Sequence, residues 1–101
     1  MSAPTLRALV IDHDAHALAQ VSDLLTRKGF RVSARATPGD ALDYVRRARP
    51  DLVLLGSRFW ENGWGVLLRS LAPQTPVFPT VEPDGRRNLQ RLGRLIGPDA
   101  A

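Results

Sequence analysis

Apolar residues along the chain fall in short solid runs, separated by longer segments in which they recur every three or four positions. Residues 6–12 (LRALVID) carry consecutive apolar side chains, Leu9, Val10 and Ile11, the pattern of a strand buried on both faces of a parallel sheet. Asp14 stands where a helix N-cap is needed, and Leu18, Val21, Leu24 and Leu25 follow at helical spacing. Gly29, just past Lys28, suits the turn that ends such a helix. Residues 31–36 alternate, with Val32, Ala34 and Ala36 on one side, as expected of an edge strand.

Thr37 and Pro38 predict the next helix start, a capping hydroxyl followed by a proline where no N–H is required. Ala41, Leu42, Val45 and Ala48 form its apolar stripe, and Pro50 stops it. Residues 52–55 (LVLL) are apolar throughout, which predicts a central strand. Residues 58–65 read as a loop, and Val66, Leu67, Leu68 and Leu71 predict a short third helix. Pro73 and Pro76 bracket a turn before a fourth strand over 77–81, where Pro79 cannot donate to a ladder and so requires an edge. Residues 87–96 place Leu89, Leu92, Leu95 and Ile96 on one helix face with arginines opposite, interrupted by Gly93 at about 1 kcal/mol relative to alanine.

Four β-α units in series, with no linker or repeat, predict an α/β fold in one domain over 1–101: a doubly wound parallel sheet of about four strands. Chemistry in such a sheet belongs at the carboxyl ends of the strands. Those ends are Asp12-His13, Ala36-Thr37, Gly56-Ser57 and Val81-Glu82.

The 101 residues, 44% of them hydrophobic, suit one small core and exclude a disordered tail. Without cysteine there is no disulfide scaffold, thiolate zinc site or thiol nucleophile. No apolar run approaches the roughly 20 residues of a membrane span, and residues 1–7 lack the apolar core of a signal peptide, so a cytoplasmic location is expected. The net charge of +4 comes chiefly from arginines, densest at Arg46, Arg47 and Arg49 and again at Arg86, Arg87, Arg91 and Arg94. Solvated helix faces account for them; a nucleic-acid-binding regulator using the basic C-terminal helix is the alternative.

Three stretches resemble the receiver domain of two-component response regulators. LVIDHDAHALAQVSDLLTRKGFRV is similar to the family's first strand, acidic turn and first helix. ARATPGDALDYVRRARPDLVLLG resembles its second strand, second helix and third strand, with RPDLVLL the most specific piece. LLRSLAPQTPVFPTV resembles its third helix and fourth strand, so the likeness runs without gaps from about residue 6 to residue 81. It implies that the fifth strand and its helix are missing.

The resemblance also implies a phosphorylation pocket, and there the chain departs from the family. The acceptor aspartate is replaced by Gly56. The two acids that hold Mg²⁺ fall on Asp12 and His13, and imidazole is a poor substitute for an oxygen ligand. Val81 stands at the switch hydroxyl, with Thr80 one place earlier, and the only lysine, Lys28, lies in the wrong element. Asp12 is then expected to hydrogen-bond backbone or His13, and no metal or other cofactor is expected. The resemblance thus implies a degenerate pseudo-receiver: non-enzymatic, independent of phosphorylation, and acting by protein–protein interaction in a two-component-derived or transcription-regulatory pathway. A receiver phosphorylated at a displaced acceptor is the other alternative.

Phe59, Trp60 and Trp64 supply half of the six aromatics within six positions beside this pocket, the composition of an interface anchor; alternatively one indole fills the vacated pocket. The missing final strand and helix would leave residues 52–55 short of cover on one face. A homodimer through Leu89, Leu92 and Leu95 is the expected remedy, each buried leucine contributing roughly 1.5–3 kcal/mol.

Overall fold

The structure, a computed structural model, describes residues 6–80. Val81, the 87–96 helix with Leu89, Leu92 and Leu95, and the C-terminal arginines therefore lie outside the described residues. Strands β1 (Arg7–Ile11), β2 (Arg31–Arg35), β3 (Leu52–Leu55) and β4 (Val77–Pro79) alternate with helices α1 (Ala15–Arg27), α2 (Pro38–Ala48), α3 (Ser57–Glu61) and α4 (Trp64–Leu71). The strands form one parallel sheet in the order β2-β1-β3-β4. β2 and β4 are its edges, as expected, although of Val32, Ala34 and Ala36 only Val32 packs on the core and Ala34 and Ala36 face solvent.

Strand geometry sends successive side chains to opposite faces and so divides the core in two. On one face Ala8, Val10, Leu52 and Leu54 pack with Val21 and Leu25 of α1 and with Phe30. On the other, Leu9, Ile11, Val53, Leu55 and Val77 pack with Ala41 and Val45 of α2 and Leu68 of α4. Helices thus cover both faces, as a doubly wound sheet demands. β3 is not short of cover: Leu52 is its most exposed residue at 5%. Among the described residues, the large apolar side chains that do face solvent are Leu6 and, on α4, Val66, Leu67 and Leu71.

Local chemistry sets the helix ends. The Asp14 carboxylate accepts the N–H groups of His16 at 2.9 Å and Ala17 at 3.5 Å, satisfying donors that the first turn leaves free. At the far end of α1, Phe30 N–H donates to Leu25 O at 3.0 Å and Gly29 N–H to Thr26 O at 3.1 Å, a paired closure that needs Gly29 at φ 94°. α2 starts at Pro38 as expected, but the Thr37 hydroxyl caps no backbone N–H and donates instead to Asp40 Oδ2 at 3.0 Å.

Residues 58–65 are not a loop. α3 and α4 fill most of that stretch, joined through Asn62 and Gly63, the latter at φ 85°. α4 buries Gly65 and Leu68, so the expected stripe of Val66, Leu67, Leu68 and Leu71 reduces to Leu68. An eight-residue helix lying on the sheet presents about one residue per turn to the core, and the others point outward.

Candidate functional site

The strand order reverses between β1 and β3, and crevices in open parallel sheets form beyond the carboxyl ends at such a point. The register pairs Ile11 with Leu55, which sets Asp12 beside Gly56. Backbone bonds hold these ends in place: Asp12 N–H donates to Arg35 O at 3.1 Å, Gly56 N–H to Ile11 O at 2.7 Å, and Thr80 N–H to Leu55 O at 2.9 Å. Asp12, Gly56 and Thr80 are all buried.

The Asp12 carboxylate bends over Gly56. A Cβ at position 56 would meet Asp12 Cγ at 2.7 Å, Oδ2 at 2.8 Å and Oδ1 at 2.9 Å, closer than real Cβ contacts come. Oδ1 accepts the Asp14 N–H at 3.0 Å, and His13 Nδ1 lies 3.4 Å from the same oxygen. The backbone hydrogen bond expected of Asp12 is therefore present, with His13 standing beside it. The His13 side chain is 43% exposed and sets its ring edge-on to Phe59, with centroids 6.0 Å apart.

This donor set does not suit Mg²⁺, which requires several hard oxygen ligands in near-octahedral array. Asp12 supplies one carboxylate, His13 a nitrogen, and Gly56 no side chain, while the space above Gly56 is taken by Asp12 itself. Among the described residues no group of three or more His, Cys, Asp or Glu side chains comes together. Ser57 is exposed at the first position of α3.

The aromatic cluster divides. Phe59 sits at the crevice against His13. The Trp60 ring lies on Gly65, where an added Cβ would stand 2.7 Å from Trp60 Cζ3, and the Arg69 guanidinium lies 5.1 Å from the ring centroid. Arg69 also donates to Val77 O at 2.9 Å, so the stack ties α3 and α4 to β4. Trp60 and Trp64 are both half-buried against the core. Gly65 and Arg69 carry no signal in the sequence: their packing on Trp60 joins two helices where a loop is expected, and no local pattern marks it.

No helix among the described residues is long and apolar enough to cross a membrane. No protein-family model matches the chain, and no curated protein does. The crystal structure of a response regulator from Thermotoga maritima resembles it with a TM-score of 0.69 and 21% identity, over 93% of this chain and 80% of that one. With four parallel strands in the order β2-β1-β3-β4 and helices on both faces, the chain has the fold of a response regulator receiver.

Proposed function

We propose that this chain is a signalling module of the receiver type that neither accepts a phosphoryl group nor catalyses a reaction, and that it works by binding protein through one constitutive surface. The observation that carries this reading is the Asp12 carboxylate lying in the space an acceptor side chain at position 56 would occupy. A receiver needs its acceptor and its metal-holding acids side by side. Here one acid occupies the acceptor's place and the second is an imidazole.

A protein with no trigger must present its binding surface at all times. The α3–α4 layer supports that role: Phe59, Trp60 and Trp64 are half-buried, and Val66, Leu67 and Leu71 beside them are exposed by 71%, 42% and 39%. Apolar side chains with aromatic neighbours are the composition of interface anchors. A second copy of the chain is one partner this surface suits, and β3, covered within one chain, calls for none.

Incubation with acetyl phosphate and Mg²⁺ followed by intact mass measurement tests the reading. An unchanged mass is expected. A stable gain of one phosphoryl group overturns it.

A further inference from the structure

At the end of the sheet opposite Asp12 and Gly56, the C-terminal ends of α2 and α4 and the segment leading into β3 line an open cleft of about 580 Å³. That is within the usual size range of small-molecule sites, roughly 300–1,000 Å³. Leu71 and Pro73 give it an apolar wall, the buried Val45 lies beneath, and Arg46 and Arg49 stand at its side. We propose that this cleft binds a small amphipathic anion: an apolar body against Leu71 and Pro73, with a carboxylate or phosphate head on the two guanidinium groups.

The backbone at Arg49 supports this assignment independently. Arg49 has φ 48° and ψ 68°, the left-handed region, and is the only non-glycine residue with positive φ among those described. A side chain there is disfavoured, and a residue preceding proline is biased further toward extended conformations. The closing turn of α1 meets the same requirement with Gly29. α2 instead carries an arginine into the strained position, and that arginine lines the cleft. Strain held at one residue points to what its side chain does.

The charges nearby leave both guanidiniums available. Arg27 pairs with Asp23 and Arg47 with Asp43 along their own helices, whereas Arg46 and Arg49 have no acidic partner among the described residues. Asp51 also lines the cleft, but its Oδ2 accepts the Arg7 N–H at 2.8 Å, and two guanidiniums outweigh it. The Thr75 hydroxyl donates to Pro50 O at 3.2 Å and ties the opposite wall to the turn between α2 and β3. Guanidinium reads carboxylate and phosphate alike through paired N–H donors.

The probe is 8-anilinonaphthalene-1-sulfonate, an aromatic body with an anionic head, titrated by fluorescence into the whole chain. Saturable one-to-one binding is expected, weakened about tenfold or more in Arg49→Gly and in Arg46→Gln, the scale of one lost charge-assisted hydrogen bond. Arg58→Gln, on α3 at the other end of the sheet, should bind as the wild type does. The uncharged N-phenyl-1-naphthylamine should bind at least tenfold more weakly. Benzoate and phenyl phosphate compete for the probe, and whichever displaces it names the head group. Arg49→Gly also relieves the backbone, so it should melt at or above the wild-type temperature while losing the probe. Absence of saturable binding, equal binding by the arginine variants or the neutral probe, displacement by neither competitor, or a lower melting temperature for Arg49→Gly each overturns the proposal.

Discussion

The Asp12 carboxyl group and the Cα of Gly56 share a space that admits no further atom: a Cβ on Gly56 would lie 2.7 Å from Asp12 Cγ. The β1–β3 register brings the two together, and burial together with the Asp14 N–H keeps the carboxylate there. Gly56 has φ −58° and ψ 151°, a conformation any residue adopts, so what restricts position 56 is contact and not backbone strain.

Gly56→Ala should therefore destabilise the protein by about 1–3 kcal/mol, the cost of overpacking a filled site. In an Asp12→Ala background the same substitution should cost less than about 1 kcal/mol, because the obstructing group is gone. Chemical denaturation of the four proteins in this cycle gives the coupling between the two positions. Equal cost in both backgrounds would show that the carboxylate yields freely.

An aspartate at position 56 alone should not make the chain accept a phosphoryl group. Gly56→Asp places a second carboxylate against Asp12, with neither a second acid at His13 nor a lysine beside it. The variant should be less stable than wild type and should show no mass increase with acetyl phosphate and Mg²⁺. Stoichiometric phosphorylation of Gly56→Asp would mean that Asp12 swings aside and that the site is one residue from activity.

Trp60 joins α3 to α4 through Gly65 and Arg69, so its loss should appear first in stability. Trp60→Ala should cost about 2 kcal/mol, below the range for a fully buried tryptophan because the ring is only partly buried. Gly65→Ala drives a methyl into the same ring and should cost about 1–3 kcal/mol. At this chain length each kcal/mol lowers the melting temperature by about 4–8 °C, which differential scanning calorimetry resolves. An unshifted melting temperature in both variants would remove the stack from the account of the fold.

Val66 and Leu67 face solvent among the described residues, so charge there should spare the fold and damage binding. Val66→Asp and Leu67→Asp should melt within about 1 kcal/mol of wild type, as surface substitutions do. Self-association in sedimentation equilibrium, or capture of a protein partner, should weaken on the order of 2 kcal/mol if the layer is an anchor. A monomeric wild type at high micromolar concentration, together with unchanged partner capture by both variants, would discard the α3–α4 surface.

Helix and strand periodicity are local properties, and the residues wrote them plainly. Leu52–Leu55 reads as a buried strand because every position is apolar, and Asp14 and Gly29 mark the two ends of α1 by the chemistry that helix ends require. Pro79 announces an edge strand by lacking a donor. From these the parallel α/β sheet follows, and with it the end of the sheet where Asp12 and Gly56 lie. Sequence could also say that Gly56 has no side chain to phosphorylate. It could not say that Asp12 fills the space above it, because that contact depends on two strands 44 positions apart aligning Ile11 with Leu55. Nor could it place Trp60 on Gly65 or leave Val66 in solvent, since a helix stripe of apolar residues does not reveal how many of them the sheet can reach. The left-handed turn at Arg49 is invisible for the same reason. Patterns along a chain encode which side chains seek the interior; only packing decides which of them find room there, and which polar groups are brought together as they do.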